Sequence, residues 1–190
     1  MLVRHGATDW AEEGRHTGWT DIALNGAGRR QAEALVAPLR ARSFGTVLSS
    51  PLQRARATSE LAGLGGRAEL DDDLREWSYG DYEGRTAAEI RAERPGWNIW
   101  DHGVVGGESL EQVAARADRV LERVRDLGGG VVLFAHGHLL RVLAARWIGQ
   151  PPALGRHLSL STASLSELAA EHGRASIALW NSTAHLQPLG

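Results

Sequence analysis

Two hydrophobic periods alternate along the chain. Short unbroken apolar runs give way to stretches with apolar residues every three or four positions, which predicts strands interleaved with helices. Leu2-Val3 is the first run and ends on Arg4-His5-Gly6. Leu24, Ala27, Ala32, Leu35, Val36 and Leu39 then recur at helical spacing, predicting a helix from its cap at Asn25 to about Arg42. Thr46-Val47-Leu48 reads as a short buried strand. Ser50-Pro51 opens the next helix, with proline at the first position, where its missing N–H costs nothing. Residues 67–72 read as a further short strand. Ser109 and Gln112 form a capping box, and Leu110, Val113, Ala117, Val120, Leu121, Val124 and Leu127 mark the clearest helix, stopped by the glycines at 128–130. Val131–Ala135 is the strongest strand, followed by a helix from Gly137 through Trp147. Two last strands are expected near 164–168 and 176–180, joined around His172-Gly173.

This alternation implies an α/β fold, a three-layer sandwich whose mostly parallel central sheet carries helices on both faces. The chain shows no internal repeat and no linker, so residues 1–190 are expected to form a single domain. The segment at about 77–107, rich in glycine and tryptophan, reads as an excursion from the layered core that covers the site.

Composition narrows the chemistry. All 21 basic residues are arginine, and there is no lysine and no cysteine. Schiff-base chemistry, a Walker-type phosphate loop, thiol nucleophiles, disulfides and thiolate metal sites are therefore excluded. A formal charge of −2 argues against a general nucleic-acid binder. No apolar run approaches the ~20 residues of a membrane span, and MLVRHG lacks the apolar region of a signal peptide. A cytoplasmic protein, monomer or homodimer, with no nucleic-acid or membrane partner, is the expectation.

In such a fold ligands bind beyond the carboxyl ends of the strands. His-Gly occurs four times, but only His5 and His136 directly follow strand-like runs. Arg4 ends the first strand, and Arg54 lies about one turn into the helix after the second. Guanidinium forks match phosphate oxygens, and histidine can act as nucleophile through a ring nitrogen, so these four residues suit a phosphoryl group. Each has a plainer alternative: strand-end histidines are often structural, and helical arginines are mostly solvated. By spacing alone Glu76 ranks with Glu83, Glu108 and Asp101, and Glu108 reads as a favourable charge at a helix start. The tryptophans read as packing, although Trp97 and Trp100 could wall a site. The His136-x-His138 pair lacks an obvious third metal ligand.

Leu2-Val3-Arg4-His5-Gly6 resembles the signature of the histidine phosphatase (phosphoglycerate mutase-like) superfamily. The likeness continues through Gly14-Arg15-His16-Thr17-Gly18, Leu24–Gly28 with Gln31-Ala32, Ser49–Ala55, Leu74-Arg75-Glu76 and Phe134–His138. The resemblance implies that His5 is the nucleophile and that Arg4, Arg54 and His136 surround the phosphoryl oxygens. It makes Glu76 the proton donor to the leaving alkoxide, and requires no metal and no cofactor. Arg15, Thr17, Gly18, Tyr79, Gly137 and His138 would contact the small phosphorylated substrate.

Three departures from the family pattern stand out. Ala7 and Ala11 replace polar residues common after Arg-His-Gly, with Thr8 or His138 as candidate compensators. The segment after Glu76 is shorter than the insertion mutases usually carry, and His138 stands where they usually have asparagine. These differences favour a phosphatase over a cofactor-dependent phosphoglycerate mutase or a non-catalytic phospho-ligand binder. DDDLREWSYGDYEG at 71–84, with Trp97 and Trp100, looks most like the sedoheptulose-bisphosphatase-like and acid phosphatase branch, implying sugar phosphates as substrates.

Overall fold

Successive strand residues face opposite sides of a sheet, and here the two sides bury two separate apolar cores. In the computed structural model, which describes residues 1–187, the chain order is β1 (Leu2–Arg4), α1 (Asp9–Glu12), α2 (Gly26–Ala34), α3 (Val36–Arg40), β2 (Thr46–Ser49), α4 (Gln53–Leu61) and β3 (Ala68–Leu70). It continues with α5 (Ala87–Glu93), α6 (Ile99–His102), α7 (Leu110–Leu127), β4 (Val131–Ala135), α8 (Gly137–Trp147), β5 (Leu165–Glu171) and β6 (Arg174–Ser182). Leu2, Leu48, Leu133 and Ala135 pack toward Val113, Leu121, Leu139 and Leu143 of α7 and α8. Val3, Val47, Val132 and Phe134 pack on the other face against Leu35 and Leu39. Continuous apolar strands are what a sheet covered on both faces requires.

The six strands lie in the order β3-β2-β4-β1-β5-β6. The first four pair in parallel, and β5 and β6 add antiparallel. The sheet is thus mixed, with the helix-linked strands parallel and the closing hairpin antiparallel. His172 and Gly173 both take positive φ (50° and 77°), as a tight two-residue hairpin turn demands. The chain passes from β1 over to β2 and β3 and returns to place β4 between β1 and β2, so the order of strand addition reverses there, and the crevice opens at the carboxyl ends of β1 and β4.

Two helix expectations change. The helix from Asn25 to Arg42 is split at Leu35 into α2 and α3, because Pro38 has no N–H to give the Ala34 carbonyl. The helix expected from Pro51 starts at Gln53, with Leu52 extended (ψ 134°) as its cap. No helix among the described residues is long and apolar enough to cross a membrane.

Candidate active site

Strand register alone brings the two histidines together. β1 and β4 are paired Leu2 to Leu133 through Arg4 to Ala135, so the next residues, His5 and His136, emerge side by side. His5 N–H still donates to the Ala135 carbonyl (3.0 Å), and the two rings lie 5.1 Å apart between centroids. On the other side of β4, Ser50 N–H continues the ladder to Phe134 O (2.9 Å), which places Ser50 beside His136.

His5 Nδ1 lies 2.7 Å from the Gly6 carbonyl. A carbonyl can only accept, so Nδ1 carries the proton and Nε2 keeps its lone pair. Burial, then the Arg54 and Arg4 charges, hold the His5 pKa well below its ordinary 6.5. The ring is neutral and keeps a free lone pair beside two cations. Arg4 Nη1 is anchored on the Leu160 carbonyl, while its buried Nε has no hydrogen-bond partner. Buried donors are rarely left unpaired, and this one suits an anionic oxygen.

The Glu76 carboxylate sits over the first turn of α8. Its Oε2 accepts from His138 N–H (2.9 Å), and its Oε1 accepts from Leu139 (2.8 Å) and Trp77 (2.9 Å) N–H groups. Gly137 lies directly against both groups: a Cβ there would meet Arg4 Nε (3.5 Å) and Glu76 Oε2 (3.6 Å) at ordinary contact distance. Arg4, His5, Glu76, Gly137, His138 and Tyr79 all line one cleft of about 200 Å³, as do Arg15 and Thr17. A larger hollow of about 570 Å³ opens at the other end of the strands around Met1 and Trp147, but no histidine lines it.

Not every residue expected at the site opens onto the cleft. Arg54 is fully buried beneath it. Its Nε donates to His136 Nδ1 (3.2 Å), its Nη2 to the Thr17 (3.1 Å) and Gly18 (2.7 Å) carbonyls, and its Nη1 to Thr20 O (3.1 Å). With Nδ1 accepting, His136 carries its proton on Nε2, which lies 2.8 Å from Ser50 Oγ. Gly18 does not line the cleft either. Its N–H donates to Glu83 (3.0 Å), and a Cβ there would come within 2.1 Å of Glu83 Oε1 and 2.5 Å of the Trp77 carbonyl. Gly18 is a close-packing position, not an exposed contact. Arg15 stands at the rim, already paired with Glu13 (2.6 Å) and the Gly84 carbonyl.

The departures also find their places. Thr8 caps α1 by accepting from Ala11 N–H (3.1 Å), is fully buried and does not line the cleft, so it is not placed to replace a lost phosphate contact. His138 is in the cleft, its Nδ1 2.6 Å from the Tyr79 hydroxyl. Burial drives the Tyr79 pKa well above 10.0, so the phenol keeps its proton. His138 Nδ1 is the only acceptor it meets among the described residues, so it donates there and the His138 proton sits on Nε2. His136 and His138 face Ser50 and Tyr79 and do not converge; no group of three metal-ligating side chains occurs among the described residues. Glu108 bonds Arg116 instead of serving only as a helix-start charge.

Two cleft residues escaped the sequence analysis as site residues. His16 gives its Nδ1 proton to Arg85 O (2.8 Å) and packs edge-on to Tyr79 and Trp97. Arg141 lies over Trp100 (4.8 Å) with Nε and Nη2 on the Gly155 and Arg156 carbonyls, and its Nη1 bonds no protein group among the described residues.

The buried histidines set a pH dependence. His5, His136 and His138 all have pKa values well below 6.5, chiefly through burial. Below about pH 6.5 the unfolded chain binds protons that the folded chain refuses, so stability falls as pH falls. Each histidine contributes up to about 1.4 kcal/mol per pH unit until its own folded pKa is reached. Urea unfolding at pH 7 and pH 5.5 checks this: the midpoint drops on acidification, and a rising midpoint contradicts it.

Comparison with known proteins agrees with this geometry. The family model "Histidine phosphatase superfamily (branch 1)" matches residues 1–183. The chain is 39% identical to an acid phosphatase of Mycobacterium tuberculosis, covering 100% of this chain and 95% of that protein. It is 36% identical to the sedoheptulose 1,7-bisphosphatase of Saccharomyces cerevisiae, over 78% of this chain and 67% of the relative. A solved structure of a Mycobacterium tuberculosis open reading frame superposes with a TM-score of 0.92 at 38% identity, covering 97% of each chain. The chain therefore belongs to branch 1 of the histidine phosphatase superfamily, and it is a phosphatase.

Proposed function

We propose that the protein hydrolyses small phosphate monoesters, sugar phosphates in particular, through a phosphohistidine and without a metal ion. The observation that carries this is a neutral His5 with a free Nε2 lone pair, beside the unpartnered buried Nε of Arg4. His5 Nε2 attacks phosphorus, the ester P–O bond breaks, and Glu76 gives a proton to the departing alkoxide. Glu76 then takes a proton from water as that water attacks the phosphohistidine; the P–N bond breaks and its electron pair returns to Nε2. Arg4, Arg54 and His136 stabilise the charge on the transferred group. For His136, which is fully buried and does not line the cleft, this means turning its Nε2–H from Ser50 Oγ to a phosphoryl oxygen. For Arg54 this means using its one uncommitted Nη1 hydrogen or releasing a carbonyl of the 17–20 segment.

Sugar phosphates are supported by the likeness to a sedoheptulose 1,7-bisphosphatase and by the polar groups farther along the cleft. His138 Nε2–H, the His16 Nε2 lone pair and Arg141 Nη1 offer contacts to hydroxyl or second anionic groups. A metabolite panel assayed in EDTA tests this. Hydrolysis of p-nitrophenyl phosphate and faster turnover of sugar mono- and bisphosphates are expected. Loss of activity on chelation, or 3-phosphoglycerate mutase activity exceeding hydrolysis, contradicts it.

A further inference from the structure

We infer that Arg116, paired with Glu108, is a positioning residue for the Glu76 carboxylate; this rests on the acid–base role proposed for Glu76. Glu76 lies in a stretch with neither helix nor strand, residues 76–79, so no regular hydrogen-bond ladder fixes its backbone. Arg116 reaches that stretch from the middle of α7 and is only 8% exposed. Its Nη1 donates to the carbonyls of Asp73 and Arg75, both at 2.8 Å, and its Nη2 to that of Glu76 at 3.2 Å. The remaining donors form a fork on Glu108: Nε to Oε1 at 2.7 Å and Nη2 to Oε2 at 2.8 Å. All five guanidinium N–H groups are thus used.

Glu108 extends the grip past Glu76. Its Oε2 accepts from Ser78 N–H (2.9 Å), its N–H donates to the Ser78 carbonyl (3.0 Å), and its carbonyl accepts from the Trp77 indole (2.7 Å). One ion pair therefore fastens the backbone on both sides of Glu76. A buried ion pair by itself says little about stability, since apolar replacements are often neutral. What distinguishes this one is that three of the five donors converge on carbonyls within four consecutive residues, ending on Glu76 itself. Lysine, with three donors and no planar fork, could not reproduce the set. Proton transfer needs the Glu76 oxygen within hydrogen-bond reach of the leaving oxygen, and displacement of about 1 Å can cost about 100-fold.

Arg116→Lys tests the inference against a merely structural role, with Glu76→Gln and the double variant measured in parallel. The readout is kcat/KM across aryl and alkyl phosphates, which reports phosphoryl transfer to the enzyme and is blind to later hydrolysis of the intermediate. Folding is followed by circular dichroism. Arg116→Lys is expected to keep kcat/KM for p-nitrophenyl phosphate within a few-fold of the parent. For an alkyl phosphate, whose alkoxide must be protonated, it should lose about 100-fold. In the Glu76→Gln background it should add nothing. Equal losses for both leaving groups, or a further leaving-group-dependent loss in that background, would overturn the inference while the role of Glu76 stands. If Glu76→Gln itself shows no leaving-group dependence, the acid role fails and the inference fails with it. Should Arg116→Lys not fold, Glu108→Gln, which leaves Arg116 in place beside a neutral partner, is read by the same comparison.

Discussion

His5→Ala should remove turnover by about four orders of magnitude or more, as the proposed nucleophile role requires when only binding and charge stabilisation remain. The size of the loss follows from the site's geometry. Of the histidines at the site, His5 alone adjoins Arg4 in the chain and keeps a free lone pair: the His136 nitrogens face Arg54 and Ser50, His138 Nδ1 accepts from the Tyr79 hydroxyl, and the His16 ring packs against Tyr79 and Trp97. The substitution leaves Gly6 O without its ring donor but does not disturb the β1–β4 ladder, which is made by backbone groups. An unchanged circular dichroism spectrum should therefore accompany the loss. Added imidazole should restore part of the rate by entering the vacated space. Activity within tenfold of the parent would show that His5 is not the nucleophile.

Glu76→Gln produces the second largest effect, and one that depends on the leaving group. For alkyl phosphates kcat/KM should fall about 10²- to 10⁴-fold, the range for general acid catalysis. For p-nitrophenyl phosphate, whose phenolate leaves unaided, it should change little. The same carboxylate is proposed to activate the attacking water, so the p-nitrophenyl reaction should gain a burst as phosphoenzyme forms faster than it decays. Glutamine also turns one carboxylate oxygen into a donor, facing either the His138 N–H or the Trp77 and Leu139 N–H groups, so a modest loss of thermal stability should appear. Equal losses across leaving groups, with no burst, contradict the assigned role.

The positions of His5 and His136 were legible because each ends an apolar run, and adjacent parallel strands present their next residues at the same crevice. Arg54 was legible from its place one turn beyond the second strand. Glu76 was not: neighbouring carboxylates share its spacing, and the hydrogen bonds that mark it come from α8, some 60 residues further on. Only the family resemblance singled it out. Arg116 has a sequence signature, since it falls three residues after Val113 and four before Val120, inside the buried stripe of α7. A charge at such a place implies a buried partner. Arg141 has no such signature, because its value comes from Trp100 and the cleft wall. Gly18 was assigned to substrate by resemblance, whereas its missing side chain makes room for Glu83. The long helix expected after Asn25 failed because apolar periodicity continued across Pro38, whose ring interrupts the backbone bonds without breaking the pattern.

The central claim is a double displacement, first onto His5 and then onto an acceptor, so the stereochemistry at phosphorus tests it most directly. An isotopically chiral phosphate monoester is turned over in the presence of an alcohol acceptor, and the configuration of the transferred phosphoryl group is read by NMR. The phosphohistidine route comprises two in-line steps and gives overall retention, whether or not the intermediate accumulates. Inversion would mean a single direct transfer with no phosphoenzyme, and would contradict the role proposed for His5.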